Sequence, residues 1–363
     1  MNYCEKIHYT LCRSSEGDFE QMAGELFTRL PEKGDIVRLV FFGAPDGNRE
    51  YEEQREMLRK QVRSRFAGKE PVLNYVAQPP LEGGLVMEVH SYSPDKDDKI
   101  SYKSYEGTAY VLVENANGRF LFSGGWQADL SSDIYTQSKE VFRKMNGLLE
   151  KESFPIDSIV RQWNYIERIT AQDGEDQHYQ MFNNARSEFY SAAQWKDGYP
   201  AATGIGSSWG GVLVDFDAVV PQSGSCLITP IDNKLQVAAH AYSDDVLLEA
   251  GSKKTTPKFE RAKSITTDGN RLVYISGTAA IRGEESLTGV GIERQLDITM
   301  ENIAQLTGNA EICLLRVYLK YPKDYEAVKR KLASREKTVS VCYLETDVCR
   351  EELLIEIEGI AME

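Results

Sequence analysis

Two glutamates near the end of the sequence stand two residues apart. Glu356 and Glu358 alternate with Ile355 and Ile357. Successive side chains of a β-strand point to opposite faces, so both carboxyl groups would share one face of an otherwise apolar strand. Burial there would raise the pKa of Glu356, as a general acid working near neutral pH requires. A polar strand edge facing solvent explains the same pattern, and the residues alone leave both explanations open.

Arginines placed among apolar neighbours could hold an anionic substrate. A guanidinium group stays charged and binds carboxylates through two parallel hydrogen bonds. Arg186 lies seven residues after Tyr179, and Arg316 interrupts the apolar residues 312–317. Tyr179 could donate a hydrogen bond to the same substrate. The ordinary alternatives are a helix-surface charge for Arg186, an exposed strand face for Arg316 and a core aromatic for Tyr179.

Residues 199–206 predict a tight backbone segment because they include Gly204 and Gly206. Glycine lets the chain approach a ligand closely, so Thr203 and Gly204 are candidate substrate contacts. The segment lacks the Gly-Lys-Ser/Thr ending of a phosphate-binding loop. A simple turn between two elements is the alternative.

Cys349 lies seven residues before Glu356. On one straight strand this odd spacing puts the two side chains on opposite faces. They can share a pocket only if residues 350–352 form a turn or bulge, which their charged side chains favour. The alternative for Cys349 is a buried small hydrophobe.

Composition narrows the class of protein. The 363 residues carry 56 acidic against 42 basic side chains, a net charge of -14, whereas a binder of nucleic acid normally has a basic surplus. The six cysteines form no Cys-x-x-Cys pair and the four histidines are scattered, so neither a metal nor another cofactor is expected. The apolar runs are far shorter than the ~20 residues of a membrane span, and the first residues do not resemble a signal peptide. We therefore expect a cytoplasmic protein without a membrane or nucleic-acid partner.

Strand and helix patterns alternate along the chain and predict an α/β protein. In the first half, residues 36–42 predict a strand, residues 51–66 and 135–151 predict helices, and residues 108–123 predict a hairpin. The pattern breaks at Pro155, where we place a domain boundary between residues 1–155 and 156–363. The second half predicts the same kinds of elements, with strands at 210–216, 235–242, 271–277, 313–320 and 353–361, and helices at 292–306 and 323–332. Two related α/β modules are the simplest interpretation.

The last hundred residues resemble the YjgF/RidA family. The resemblance rests on Tyr274-Ile275-Ser276-Gly277-Thr278-Ala279, on Gln295, on the strand and helix of residues 317–328, and on the closing residues 355–361. It implies two YjgF/RidA-like modules, each a mixed β-sheet packed by helices. The N-terminal module would be degenerate, and the C-terminal one would be catalytic.

Further motifs are similar to those of the chorismatases and extend the resemblance over nearly the whole chain. They are residues 75–80, 161–166, 178–186, 199–206 and 259–262. The resemblance implies release of pyruvate from chorismate, with either a hydroxybenzoate or a dihydroxycyclohexadiene carboxylate as the second product. Protonation of the enol ether carbon of chorismate needs one carboxylic acid and no metal.

The chorismatase resemblance also assigns roles to individual residues. Glu356 matches the position of the catalytic acid in this family. Cys349 occupies a position at which the sequence resembles the family branch that forms 3-hydroxybenzoate, because that branch has a cysteine there. The two carboxylates of chorismate would be held by Arg186 and Arg316, with Tyr179, Thr203 and Gly204 beside them. Asn184-Ala185 departs from the family pattern, in which we expect glycine before the arginine, and this affects the expected pocket shape.

Two other functions compete with chorismate hydrolysis. An enamine or imine deaminase of the RidA type needs an arginine fifteen residues before the glutamate, but that position is Val341, and Arg335 fits only with a gap. A ligand-binding protein that kept the fold without the activity is the second alternative. An endoribonuclease fits poorly with the net charge. Because single-domain relatives are trimers, we expect either a monomer or a homotrimer.

Overall fold

Three β-sheets form the framework of the computed structural model, which describes residues 1–243, 255–335 and 339–363. We call the corresponding parts the N-terminal module (residues 1–92), the middle module (residues 99–221) and the C-terminal module (residues 226–362). Helices pack on the outer face of each sheet. The inner faces pack against one another. Residues 36–43 are buried without interruption because the strand that they form is covered on both faces.

The N-terminal module has a four-stranded sheet. Its second helix begins at Asp18, whose side chain accepts a hydrogen bond from the Gln21 N–H in a capping box. The strand order is β1-β4-β2-β3, and only β2 and β3 are parallel. The elements in chain order are α1 (Tyr3–Lys6), β1 (Ile7–Ser14), α2 (Phe19–Thr28), β2 (Asp35–Gly43), α3 (Asn48–Phe66), β3 (Val72–Ala77) and β4 (Leu85–Tyr92).

The middle module has a six-stranded sheet with the order β5-β6-β7-β12-β8-β11. The two-residue strands β9 and β10 form a separate ribbon before its second helix. A short 3₁₀ helix covers Ile156–Ser158. The elements are β5 (Lys99–Tyr105), β6 (Thr108–Asn115), β7 (Gly118–Gln127), α4 (Ile134–Glu152), β8 (Ile159–Glu167), β9 (Gln172–Asp173), β10 (Asp176–Gln177), α5 (His178–Tyr190), β11 (Ala201–Ser207) and β12 (Val212–Pro221).

The C-terminal module has a second six-stranded sheet, with the order β13-β14-β15-β20-β18-β19. Short 3₁₀ helices cover Ala239–Ala241 and Pro322–Asp324. In the described part of the chain, no helix is long and apolar enough to cross a membrane. The elements are β13 (Cys226–Ile231), β14 (Ala262–Thr267), β15 (Asn270–Ala279), β16 (Ile281–Arg282), β17 (Glu285–Ser286), α6 (Gly291–Thr307), β18 (Glu311–Leu319), α7 (Tyr325–Arg335), β19 (Ser340–Glu345) and β20 (Ile355–Met362).

The three sheets repeat one topology. In both six-stranded sheets the third strand pairs with the last, the last with the fourth, and the fourth runs parallel to the fifth. The four strands of the N-terminal module follow the same order without the first two strands. The chain therefore contains two complete modules and one shortened copy, arranged around a common centre.

The division predicted at Pro155 needs correction, because that residue lies inside the middle module. Strand β7, before Pro155, pairs with β12, after it, from Gly118 to Gln127. Helix α4 ends at Ser153, which has the left-handed backbone conformation of a helix C-cap. The break in the sequence pattern thus marks the end of a helix, and the chain then returns to the same sheet through β8.

Three buried ion pairs link the modules at their common centre. Each joins an arginine on one of the equivalent strands β2, β8 and β18 to an acid on the last strand of another module. The three pairs are Arg38–Asp217, Arg161–Glu358 and Arg316–Glu88. All three guanidinium groups approach the ring of Trp163, at 5.0, 4.7 and 5.6 Å from its centroid. Cation–π contact with one shared ring adds to the ion pairs that hold the three modules together.

Candidate active site

A cavity of about 590 Å³ opens between the middle and the C-terminal modules. Its volume is typical of a site for a small molecule. The middle module contributes α5 and β11, and the C-terminal module contributes β15, β20 and the segment that leads into β20. The lining residues used below are Gln177, Tyr179, Gln180, Asn183, Gly204, Tyr242, Arg261, Gly277, Cys349, Arg350 and Glu356.

Glu356 on β20 is the acidic group at the base of this cavity. Only 5% of the residue is exposed. Burial, and to a smaller extent the nearby charge of Glu358, raise the pKa of its carboxyl group to about 8, against the opposing effects of Arg261, Arg161 and Arg350. Among the described residues, no cationic side chain lies within ion-pair distance of it. Glu356 is therefore largely protonated at neutral pH, as a general acid must be.

Gly277 on β15 makes room for the Glu356 carboxyl group. A Cβ atom at this position would overlap Glu356 Oε1 and lie 3.1 Å from Thr203 Cγ2. The Gly277 N–H donates a hydrogen bond to Thr203 Oγ1 at 3.0 Å. Any larger residue would therefore displace the acid or the neighbouring strand.

Glu358 is buried like Glu356, with 2% of the residue exposed. Its carboxylate pairs with Arg161 and Arg316 and accepts a hydrogen bond from Tyr318 Oη at 3.0 Å. It also accepts a hydrogen bond from the Thr203 hydroxyl. The solvent-facing edge considered for this pair of glutamates is thus wrong, because both lie in the interior.

Two arginines lining the cavity, Arg261 and Arg350, were not among the residues predicted from the sequence. The Arg261 guanidinium is buried and donates to the Val237 carbonyl and to Tyr242 Oη, at 2.7 and 2.5 Å. Arg350 donates to the Glu284 carbonyl and to Ser286 Oγ, both at 3.0 Å. Neither has a carboxylate at ion-pair distance within the described part of the chain.

The ring of Tyr242 connects these two arginines. The guanidinium carbons of Arg261 and Arg350 lie 5.4 and 5.3 Å from its centroid. This contact fixes both guanidinium groups against one aromatic surface. The cavity thus presents two guanidinium groups that, within the described residues, make no close ion pair, although Glu284, Glu285, Glu351 and Glu352 also line it.

Tyr179 and Arg186 both lie on α5, as their spacing allows. Tyr179 lines the cavity, and its pKa is raised by burial and by the proximity of Cys349. Arg186 is buried and donates a hydrogen bond to Asn183 Oδ1 at 2.6 Å. Asn183 lines the cavity, whereas Arg186 lies one turn behind it. No described carboxylate pairs with Arg186.

Thr203 and Gly204 lie on β11, so the predicted tight segment is mostly an extended strand. The Thr203 side chain lies behind Gly277 and joins Arg161 Nη2, at 2.8 Å, to the Glu358 carboxylate. Gly204 lines the cavity, and a Cβ atom there would come within 2.9 Å of Tyr179 Cε2. Gly204 therefore permits the close approach of Tyr179 rather than forming a turn.

Cys349 shares the cavity with Glu356. The chain turns between them, and the Leu353 N–H donates to the Arg350 carbonyl at 3.2 Å. This is the turn on which the sequence argument depended. Burial and the nearby Glu356 raise the pKa of the Cys349 thiol to about 12, so the group is a neutral thiol at physiological pH.

The substrate-binding role predicted for Arg316 is corrected by its surroundings. Its Nε and Nη2 atoms donate to the two oxygens of Glu88 at 2.7 and 2.6 Å. Its Nη1 atom donates to Tyr165 Oη and to Glu358 Oε1, at 2.8 and 2.9 Å. Every nitrogen of the guanidinium is thus occupied inside the protein, and Arg316 does not line the cavity.

Within residues 1–243, 255–335 and 339–363, no three His, Cys, Asp or Glu side chains are placed to hold a metal ion. The groups described above give the cavity one protonated carboxyl group, one thiol, two phenols and two arginines.

Comparisons with known proteins give the family. The family model described as "Chorismatase FkbO/Hyg5-like, N-terminal" matches residues 99–218, which is nearly the whole middle module. A protein named 3-hydroxybenzoate synthase from Streptomyces hygroscopicus is 31% identical over 252 residues, covering 63% of this chain and 70% of that protein. The chain belongs to the chorismatase family.

Two further relatives agree with this assignment. A protein named chorismatase from Streptomyces hygroscopicus is 27% identical over 303 residues, covering 78% of this chain and 77% of that protein. The crystal structure of a chorismatase covers 98% of both chains with a TM-score of 0.72 at 20% identity, which shows the shared fold. The α/β class with two YjgF/RidA-like modules, predicted from the sequence, is confirmed, and the chain is an enzyme of this family.

Proposed function

We propose that this protein releases pyruvate from chorismate and forms 3-hydroxybenzoate as the second product. The observation that carries the proposal is the position of Glu356, a carboxyl group with a pKa near 8 in a cavity that also holds Arg261 and Arg350. Chorismate has two carboxylates and an acid-labile enol ether. The cavity thus offers both a proton and the charges that would bind the substrate.

The two carboxylates of chorismate match the unpaired arginines. Arg261 is buried without an ion pair, and Arg350 is half-buried without one, so an anionic ligand gains free energy by pairing with both guanidinium groups. Arg261 and Arg350 line the cavity directly, and Arg186 lies behind Asn183. In this proposal the first two bind the substrate carboxylates, while Arg186 orients Asn183 and adds positive potential. Tyr179 and Gly204 contact the ring.

Glu356 donates the proton in the proposed chemical step. Protonation of the methylene carbon of the enol ether gives an oxocarbenium ion and leaves the Glu356 carboxylate. Addition of water then gives a hemiketal, which collapses to pyruvate and a ring alcohol, and the proton released returns to Glu356. This route gives the dihydroxycyclohexadiene carboxylate with one water consumed.

Formation of 3-hydroxybenzoate differs in its atom balance. Chorismate splits into 3-hydroxybenzoate and pyruvate with no net uptake of water, so the ring must lose one oxygen as it becomes aromatic. The Cys349 thiol lies beside Glu356, and a polarisable neutral group there favours rearrangement at the ring over attack by water alone. The name of the Streptomyces hygroscopicus 3-hydroxybenzoate synthase supports this product.

The test is incubation with chorismate, followed by a pyruvate assay and chromatography of the aromatic product. Glu356→Gln should lose pyruvate release by at least ~10²-fold, since a general acid typically contributes 10²–10⁴-fold. Glu326→Gln, on the exposed face of α7, is the matched control and should behave like the wild type. Turnover of Glu356→Gln near the wild-type rate would exclude Glu356 as the acid.

The repeated topology favours a monomer over the homotrimer that the sequence also allowed. Three modules already surround one centre within a single chain, so the interfaces that a trimer of one-module chains would form are internal. Light scattering on the purified protein should give the mass of one chain. A mass of three chains would contradict the proposal. The cytoplasmic location expected from the sequence stays a prediction.

A further inference from the structure

A second cavity, of about 280 Å³, lies between the N-terminal and the middle modules. Its residues come from α3 and the segment before β3 on one side, and from β5, β6, β7 and their connections on the other. None of them belongs to the candidate active site. The lining consists of Arg59, Val62, Arg63, Glu70, Pro71, Leu73, Ser104, Gly107, Thr108, Ala109 and Gly125.

The second cavity and the candidate active site occupy equivalent positions. The second cavity lies between the N-terminal and the middle modules, and the candidate active site lies between the middle and the C-terminal modules. The active-site cavity is lined by the second helix and fifth strand of the middle module and by the third strand of the C-terminal module. The second cavity is lined by the corresponding elements one module earlier, which are α3, β3 and β7. The repeated topology therefore places two cavities at equivalent interfaces.

A local irregularity is common to both interfaces. Strand β15 shifts register against β20 between Ile275 and Thr278, and β7 shifts register against β12 between Val214 and Phe216. A bulge of this kind bends the strand and opens space beside it. At the third interface, between the C-terminal and the N-terminal modules, the equivalent strand is β1. It pairs with β4 in one continuous register over Ile7–Ser14.

Two arginines line the second cavity, the half-buried Arg59 and the exposed Arg63, and Arg55 precedes them on the same side of α3. Arg55, Arg59 and Arg63 follow one another at intervals of four residues along α3, which places them on one side of the helix. Arg55 donates to the carbonyl of Gly125 at 3.1 Å. Like charges four residues apart on a helix repel each other, so this arrangement opposes folding.

The positive charge of these three arginines is poorly compensated. Arg59 reaches Glu56 at only 3.9 Å, and no carboxylate in the described ranges pairs with Arg55 or Arg63. Burial, together with Arg55 and Arg63, lowers the pKa of Arg59 to about 10. Glu70 is the one acidic residue of the lining. A bound anion would relieve this repulsion.

The acid that corresponds to Glu356 does not reach the second cavity. In the sheet registers Glu356 faces Tyr318, and Asp215 faces Trp163 at the equivalent position. Asp215 is buried and accepts hydrogen bonds from the Gly125 N–H at 2.7 Å and from Asn74 Nδ2 at 2.9 Å. Its carboxylate is thus sealed behind β7. The second cavity has charges for binding but no exposed acid for proton transfer.

We propose that the second cavity is a non-catalytic binding site for a small carboxylate anion, held between Arg59 and Arg63. Its volume is at the lower end of the range for ligand sites, about 300–1,000 Å³, so the ligand is no larger than a single substituted ring. The two guanidinium groups supply bidentate hydrogen bonds to the carboxylate. The apolar side chains of Val62, Pro71 and Leu73 contact the rest of the ligand. The proposal does not depend on the reaction at Glu356.

The test uses 4-bromobenzoate as the probe on the full chain. Crystals soaked in the probe should show a bromine anomalous peak between α3 and β7, whether or not a second peak lies in the active-site cavity. Calorimetric titration of the wild type in solution should give one more bound probe per chain than titration of the double variant Arg59→Gln/Arg63→Gln. Loss of two charge-assisted contacts should weaken binding at this site at least tenfold.

Arg49→Gln is the matched control, because Arg49 lies on the same helix with 92% of its side chain exposed and does not line the cavity. It should keep the wild-type stoichiometry, and the double variant should be at least as stable to heat as the wild type, because it removes like charges from one side of the helix. Equal stoichiometry for wild type and double variant would overturn the proposal. A bromine peak in the crystal without the additional bound probe in the calorimetric titration would also overturn the proposal, because it would show binding at crystal concentration only. Binding of inorganic phosphate but not of 4-bromobenzoate would overturn the assignment to carboxylates.

Discussion

The hydroxyl of Thr203 and the carboxylate of Glu358 are hydrogen-bonded across the interface between the middle and the C-terminal modules. The same hydroxyl accepts the Gly277 N–H, and Gly277 is the residue that leaves space for Glu356. Hydrogen bonds thus link the buried ion pairs at the centre of the molecule to Gly277, which packs directly against the proposed acid. The negative charge of Glu358 also helps to keep that acid protonated.

We therefore expect Glu358→Gln to change the pH dependence of the reaction. In the wild type, kcat/KM should be constant below pH 8 and fall tenfold per unit above it, because only protonated Glu356 is active. Removal of the Glu358 charge lowers the pKa of Glu356, so the fall should begin at a lower pH. A pH–rate profile with chorismate measures this. A profile that coincides with that of Glu326→Gln would contradict the coupling.

Glu356→Gln should stabilise the protein at neutral and basic pH. The folded-state pKa of about 8 lies above the ordinary value of 4.5, so the wild type loses stability as the pH rises from 4.5 to 8. That loss should reach roughly 4–5 kcal/mol above pH 8 and be absent below pH 4.5. Urea denaturation at pH 4, 6 and 8 checks the difference. A variant whose advantage does not grow with pH would show that Glu356 titrates normally.

Arg261→Gln and Arg350→Gln should each raise the KM for chorismate. A charge-assisted hydrogen bond contributes about 1.5–3 kcal/mol, which corresponds to a tenfold or larger change in affinity. Arg186→Gln should have the smaller effect, since Arg186 lies behind Asn183. Steady-state kinetics provide the comparison, with the exposed Arg330→Gln as control. Unchanged KM values in both cavity variants would place the substrate carboxylates elsewhere.

Arg316→Ala tests stability rather than substrate binding. The substitution leaves Glu88 buried with only His90 as a partner, at 2.6 Å. Removal of one member of a buried ion pair typically costs 3–5 kcal/mol, so the midpoint of urea unfolding should fall markedly. The folded fraction should keep the wild-type KM for chorismate. A raised KM together with unaltered stability would restore the substrate-binding role.

Cys349→Ala followed by product analysis tests the choice of product. If the thiol favours rearrangement at the ring, the variant should shift from 3-hydroxybenzoate toward the dihydroxycyclohexadiene carboxylate. Total pyruvate release should change little, because Glu356 still supplies the proton. Chromatography of both aromatic products provides the ratio. The same product ratio in variant and wild type would remove the thiol from product selection.

Local patterns predicted that Glu356 and Glu358 lie on one face of a strand, because strand alternation concerns neighbouring residues, and the catalytic role of Glu356 stays a prediction. They could not predict the partner of Arg316, since Glu88 lies 228 positions away in sequence. An interrupted apolar run identifies a buried charge but not what neutralises it. Arg261 belongs to the family motif of residues 259–262. Its position in the cavity depends on Tyr242, which contacts it only in the folded chain.

The predicted modules and strands also depend on whether the information is local in the sequence or comes from distant residues. The two related modules followed from their strand and helix patterns, whereas the shortened N-terminal copy lacks the two strands that would have made the repeat visible. Residues 235–242, predicted as a strand, contain a 3₁₀ helix, and the Val237 carbonyl accepts hydrogen bonds from Arg261. Apolar composition alone did not reveal that this segment shapes the cavity.

The placement of three modules in one chain has a genetic consequence. In a symmetric assembly of identical subunits, each codon change alters every interface at once. Here a substitution away from the shared ring of Trp163 can alter one interface without altering the other two. The three interfaces accordingly hold different groups, with Glu356 in a cavity at one, Asp215 behind β7 at the next and the Arg316–Glu88 ion pair at the third. Because each interface has its own codons, its side chains can be selected without a matching change in the other two.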